Sequence, residues 1–307
     1  MNKRIIGLIL AGLICVAGEV TASYANENLN EAVQVKTEQT RTKNGWVKDE
    51  HGNWTYYKNG ERLENQWIKE NGKWYYVNRW GYMANGGSEY IDGKFYIFDN
   101  NGAMIEKKGW VELKNVNIDS SWFYGNGDGT VKTDYWLKEN GKWYYFNEAG
   151  YMITWTYGID GKCYAFDKSG AMIEKKGWVK FDDYTWFYGN GDGTVKSGQW
   201  LKENGKWYYF NGNGEMSNEG SYYIDDKCYI FDKSGGMIEK KGWIFDSGYS
   251  LWYYGNGDGT VKTEEWIKEN GKWYYIGYWG HMIKDESLDI NGKEYVFDSN
   301  GVYVNPY

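Results

Sequence analysis

Nineteen tryptophans, all from Trp46 onward, are the side chains in this sequence most suited to a chemical task. Most fall in pairs: Trp46/Trp54, Trp67/Trp74, Trp110/Trp122, Trp136/Trp143, Trp178/Trp186, Trp200/Trp207, Trp243/Trp252 and Trp266/Trp273. An aromatic face offers a negative quadrupole to a cation and a flat apolar surface to another ring, and it transfers no proton. That is binding chemistry. Groups for catalysis are missing at the level of pattern: there is no G-x-S-x-G, no H-E-x-x-H and no Cys/His nucleophile pair. The carboxylates recur with copied strings such as M-I-E-K-K, whereas a catalytic pair belongs in one place. The two histidines, His51 and His281, sit at opposite ends, so no His-built metal site is expected. The G-N-G-D-G strings at Gly125, Gly189 and Gly255 look like calcium loops. A calcium β-roll stacks such loops about every nine residues, and these are some 65 apart, so they read as turns. No cofactor is expected.

These tryptophans ride on a repeat. M-I-E-K-K-G-W ends at Trp110, Trp178 and Trp243, and K-E-N-G-K-W-Y-Y ends at Tyr76, Tyr145, Tyr209 and Tyr275. The long period is about 65 residues and divides into three units of roughly 22. A lead unit carries G-W and then W-[FY]-Y or W-x-Y-Y. A middle unit carries W-[IL]-K-E-N-G-K-W-Y-Y and then Met. A thin unit carries I-D-[GD]-K-x-Y-x-F-D or I-N-G-K-E-Y-V-F-D. Twelve such units fill residues 44–307. Each sets two short aromatic runs around an Asn-Gly or Asp-Gly turn, the pattern of a β-hairpin. Alternation puts Trp143 and Tyr145 on one face and Tyr144 and Phe146 on the other, so both faces need cover. An isolated hairpin is marginal in water, and stacking on the next one buries a face. The predicted fold is all-β, a solenoid of about twelve stacked hairpins.

Composition agrees. Aromatics are 20% of the chain, too many for disorder, and one proline, Pro306, excludes collagen. Three cysteines are too few for a disulfide scaffold, and a net charge of −7 argues against a nucleic-acid partner. Residues 1–25 differ: Lys3 and Arg4, an apolar stretch from Ile5 to Ala17, then small residues to Ala25. This reads as a secretory signal peptide cleaved after Ala25, with Ala22 the weaker option. The other reading, an uncleaved anchor, has an apolar stretch short for a span. Residues 26–43 read as a polar spacer. No membrane span is expected after the signal is removed.

The pattern G-W, gap, G-x-W-Y-Y-[FV]-x-x-x-G-x-M resembles the choline-binding, or cell-wall-binding, repeats of Gram-positive surface proteins. Gly177-Trp178 through Trp186, and Trp200 through Gly205-Lys206-Trp207-Tyr208-Tyr209-Phe210 to Met216, carry the likeness. The same superfamily includes glucan-binding repeats of glucosyltransferases and oligosaccharide-binding repeats of clostridial toxins. The resemblance implies a left-handed superhelix with about three hairpins per turn and ligand boxes between consecutive hairpins. Each box takes two Trp of one unit and, from the next, the second Tyr of W-Y-Y and the Met. Four full boxes are then expected: Trp46/Trp54 with Tyr76 and Met83; Trp110/Trp122 with Tyr145 and Met152; Trp178/Trp186 with Tyr209 and Met216; and Trp243/Trp252 with Tyr275 and Met282. Weaker boxes are expected at Trp67/Trp74, Trp136/Trp143, Trp200/Trp207 and Trp266/Trp273, where Ile97, Ala165, Ile230 and Val296 take the Tyr slot. Cys163 and Cys228 lie one period apart and are expected to be free. Trp80, Trp155 and Trp279 fall outside the motif and read as packing or rim residues.

A quaternary ammonium cannot donate hydrogen bonds, so aromatic faces are its natural receptor. Three rings at about 0.5–2 kcal/mol each imply roughly millimolar binding per site, and repetition supplies avidity. The expected protein is a secreted, non-catalytic binder held noncovalently on the cell wall by choline-substituted teichoic acid or wall polysaccharide. The alternative is a lectin-like module for glucans or host oligosaccharides. The bland reading of every ring is core packing.

Overall fold

A computed structural model describes residues 43–114 and 120–304. The expected signal peptide, and the expected spacer apart from Lys43, lie outside the described residues. What is described is all-β: antiparallel hairpins in sequence order, forming twelve separate small sheets. No described helix is long and apolar enough to cross a membrane.

Each hairpin follows from its turn. In Gln199–Glu203 and Lys206–Phe210, Glu203 pairs with Lys206, Lys202 with Trp207 and Trp200 with Tyr209. The two residues between are Asn204 and Gly205, at φ of 50° and 80°. Both central residues of a type I′ turn need positive φ, which is why this turn is Asn-Gly. The thin hairpins use Asp-Gly or Asn-Gly the same way; Asp225-Asp226 is the exception, with Asp226 at φ 62°.

The described chain divides into two compact units. One runs to Tyr135 and takes in Phe146–Met152; the other holds Trp136–Tyr145 and everything from Ile153 on. Within each, packing alternates in character from hairpin to hairpin. Where a thin hairpin meets the next lead hairpin, the contact is closed hydrocarbon: Ile97 with Val111, Phe123 and Val131 in the first unit, and Ala165 with Val179, Phe187 and Val195 in the second. Trp155 packs on Phe181 at 4.2 Å beside this second core. Contacts also recur near one long period. The Ser88 hydroxyl donates to the Ala149 carbonyl at 2.8 Å in the first unit. In the second, the Ser221 hydroxyl donates to the Trp279 carbonyl at 2.8 Å. Three hairpins to a turn give that separation.

The methionines are seated by glycines. A Cβ on Gly235 would stand 2.3 Å from Met216 Sδ, and one on Gly102 would stand 2.4 Å from Met83 Sδ. Gly235 also has a φ of +81°, so both its backbone and its lack of a side chain are used. In the G-D-G loops, Asp192 accepts from the Thr194 amide at 3.0 Å and its hydroxyl at 2.5 Å. The hydroxyl bond first, then the amide bond, hold Asp192 below the usual carboxylate range. These carboxylates are committed to their turns. Among the described residues no cluster of three or more His, Cys, Asp or Glu side chains is disposed to hold a metal. Cys163 and Cys228 are free and buried.

Candidate functional site

Pairing across the two-residue turn decides which rings share a face. Because Trp200 stands opposite Tyr209, both point to the same side of the hairpin, and Tyr208 points to the other. The ring that meets the preceding hairpin is therefore the first tyrosine of W-Y-Y. Tyr208 lies 4.9 Å from Trp178, and Tyr274 lies 5.1 Å from Trp243. In the first unit, Tyr75 lies 5.5 Å from Trp46.

Two open clefts show the result. One, of about 420 Å3, is lined by Trp178, Trp186, Tyr208 and Met216, with Lys233 and Ser234 at its edge. The other, of about 400 Å3, is lined by Trp243, Trp252, Tyr274 and Met282, with Lys284, Ser299 and Asn300. The tryptophans meet edge to face, with centroids 6.4 Å apart in the first cleft and 6.3 Å in the second. The methionines are placed by the backbone: the Met216 N–H donates to the Trp186 carbonyl at 2.9 Å, and the Met282 N–H to the Trp252 carbonyl at 2.7 Å. The same bond, at 2.9 Å, joins Met83 to Trp54 and Met152 to Trp122. Trp110 also meets Phe146 at 5.5 Å. These clefts have the size of small-ligand sites.

The expected second tyrosines are elsewhere. Tyr76, Tyr145, Tyr209 and Tyr275 pack on Trp67, Trp136, Trp200 and Trp266 of their own hairpins at 5.0–5.2 Å. The same parity changes the boxes that were expected to lose a ring. Ile97, Ala165 and Ile230 are buried against the following lead hairpin. Tyr96, Tyr164, Tyr229 and Tyr295 stand instead 4.9–5.1 Å from Trp67, Trp136, Trp200 and Trp266. Met104, Met172 and Met237 donate their N–H to the carbonyls of Trp74, Trp143 and Trp207 at 2.7–2.8 Å. The fourth such junction, at Trp273, has Tyr303 in the methionine slot, 5.7 Å from Trp266. Middle-to-thin junctions thus hold three rings, as the lead-to-middle ones at Trp46, Trp178 and Trp243 do. Trp80 and Trp279 are exposed, and the Arg79 guanidinium lies 4.0 Å from the Trp80 ring centroid.

Two carboxylates missed by sequence reasoning touch the boxes. The Trp178 indole N–H donates to Glu203, which also accepts the Tyr188 hydroxyl at 3.2 Å. The Trp243 indole N–H donates to Glu269 in the same way. Burial, then the Glu203 charge, push the Tyr188 phenol above its ordinary range. The signal was present in the E of K-E-N-G-K, which reads as turn sequence alone.

Comparison with known proteins falls on the same hairpins. A choline-binding repeat matches residues 132–176, and a cell wall binding repeat matches 65–83, 198–216 and 264–282, so every middle hairpin is covered. Glucosyltransferase-S of Streptococcus mutans serotype c is 27% identical over 179 residues, 54% of this chain and 12% of that protein. Glucosyltransferase-I of Streptococcus downei is 31% identical over 117 residues, 38% of this chain and 7% of that protein. The chain thus spans a small fraction of these relatives. Choline binding protein F from Streptococcus pneumoniae, solved in the presence of a peptidoglycan analogue, is 26% identical with a TM-score of 0.35, covering 86% of this chain and 99% of that one. The four middle hairpins, within residues 65–83, 132–176, 198–216 and 264–282, are thus similar to choline-binding or cell wall binding repeats.

Proposed function

We propose that this is an exported, non-catalytic protein that binds choline groups of wall teichoic or lipoteichoic acid through the aromatic boxes between its hairpins. The observation that carries this reading is the cleft at Trp178, Trp186, Tyr208 and Met216, repeated at Trp243, Trp252, Tyr274 and Met282. Rings wall each cleft, and a trimethylammonium group needs ring faces rather than hydrogen-bond acceptors. Residues 1–25 act as the signal peptide, 26–43 as a spacer and 44–307 as the wall-binding region, which attaches noncovalently. Each site is weak alone, and attachment to a polymer bearing many choline groups comes from several sites engaging together.

A second reading has its own support in the streptococcal glucosyltransferases among the relatives: a lectin-like region whose rings stack on sugars. Retention on a tertiary-amine resin with elution by free choline separates the two. Retention and elution are expected; passage through the resin, together with binding to glucose oligomers, would replace the choline reading with the lectin one.

A further inference from the structure

The boxes are not electrostatically alike. At Trp178 and Trp243 the indole N–H ends on a half-buried carboxylate, Glu203 or Glu269. In the thin hairpins the matching register position holds isoleucine: Ile224 pairs with Lys227 as Glu203 pairs with Lys206. The boxes of the middle hairpins are accordingly backed by hydrocarbon, with Ile91 packed among the rings at Trp67 and Ile159 at Trp136.

A second, separate difference lies at the other tryptophan. In every middle hairpin the lysine opposite the second Trp lays its ammonium over that ring. Lys202 is 5.2 Å from the Trp207 centroid, and the three equivalents are at 5.0–5.2 Å. At Trp186 the opposite residue is Lys180, whose ammonium sits 3.0 Å from Asp183. At Trp252 it is Phe245. Among the described residues no lysine lies over either ring. A cation entering a middle-hairpin box meets a resident ammonium and an isoleucine at the register position of Glu203; the Trp67 box also has the half-buried Glu89, opposite Tyr96. One entering at Trp178 or Trp243 finds a carboxylate on the indole edge and both Trp faces without a resident cation, with Lys233 or Lys284 at the cleft's edge.

We propose that charge sorts the boxes, with Glu203 and Glu269 making the Trp178 and Trp243 clefts the cation-preferring sites and the lysines over the middle-hairpin tryptophans disfavouring cations there. This rests on the choline reading and refines it. Glu203 and Glu269 are positioning and selectivity residues, since they act through the indole they hold.

The test compares choline with 3,3-dimethylbutan-1-ol, its neutral isostere, by titration calorimetry on the full chain. Glu203→Gln with Glu269→Gln keeps an acceptor for each indole N–H and removes the charge. Choline affinity at the tight class should fall about 3- to 10-fold while that of the neutral isostere changes less than about twofold, since only the charged ligand feels the lost Coulomb attraction. Independently, Lys202→Met, which leaves both carboxylates untouched, should raise choline affinity at one weak site. An unchanged choline-to-isostere ratio in the double variant, with choline still bound, would overturn the sorting alone, as would no gain from Lys202→Met. A wild-type chain that binds no choline would overturn the ligand reading and the sorting with it.

Discussion

Tyr208 and Tyr209 are neighbours in sequence and opposites in role. Tyr208 faces Trp178 in the preceding hairpin, and Tyr209 packs on Trp200 in its own. Tyr208→Ala should therefore lower choline affinity about 2- to 30-fold at one site, the value of one ring, with little loss of fold. Tyr209→Ala should leave that cleft's affinity near wild type and lower the melting temperature instead; calorimetry and thermal melts on both variants read the two effects. This assignment was legible in the sequence. An Asn-Gly turn of two residues forces Trp200 opposite Tyr209, so the second tyrosine cannot face the preceding hairpin. The family pattern, applied without that parity, placed the second tyrosine across the junction, where the structure has the first. Cys228 makes a different residue-scale prediction. Burial pushes its thiol from 9.0 up to about 11. The folded state therefore favours the neutral thiol. Its contribution to stability is complete below pH 9 and is lost as pH climbs toward 11. Thiol labelling of the native protein at pH 8 should be far slower than of the unfolded chain; equal rates would refute the burial argument.

At the scale of the hairpin, turn chemistry explains most of the regularity and locates one irregularity. Gly93, Gly161 and Gly292 fill the second turn position in three thin hairpins, at φ of 84°, 74° and 82°. Asp226 fills it in the fourth, exposed and at φ 62°. An L-residue with a Cβ is disfavoured there, although aspartate tolerates it better than most. Asp226→Gly should stabilise the chain by about 0.5–1 kcal/mol, measured as a shift in denaturation midpoint without a change in slope. A loss of stability would mean that the side chain does something in the turn that its exposure does not reveal. Hairpin existence and turn type could be read from Asn-Gly and Asp-Gly spacing alone. The seat of each methionine could not. That Gly235 must lack a Cβ to admit Met216 depends on residues from different hairpins meeting in space, and glycine in a D-K-S-G string already has a sufficient local reason to be there. The indole-to-Glu203 bond was hidden for the same cause, since a turn glutamate needs no partner to be explained.

For the molecule as a whole, ligand binding and folding should be one equilibrium. Within each compact unit buried clusters join one hairpin to the next in sequence, as in other repeat proteins, so stability resides in the junctions between hairpins. The boxes are those junctions. Trp178 and Trp186 come from one hairpin and Tyr208 from the next, with Met216 following it, and so a ligand in the cleft ties consecutive hairpins together. The boxes exist only when the hairpins are stacked, so on the proposed reading choline should bind the native state and not the unfolded chain. Each occupied site then adds RT ln(1 + [L]/Kd), about 1.4 kcal/mol at ten times its Kd. Several sites of roughly millimolar affinity should raise the melting temperature steadily through tens of millimolar choline. The shift should persist in added sodium chloride, because the attraction is to ring faces at short range and is weakly screened. Glucose oligomers at equal concentration should shift the melt less, since these clefts offer ring faces but few convergent hydrogen-bond groups. The single variant Tyr208→Ala should reduce the choline shift by one site's worth and leave the remainder. A shift produced by oligosaccharide and not by choline would transfer the boxes to sugar recognition, while a choline shift untouched by Tyr208→Ala would place binding outside them.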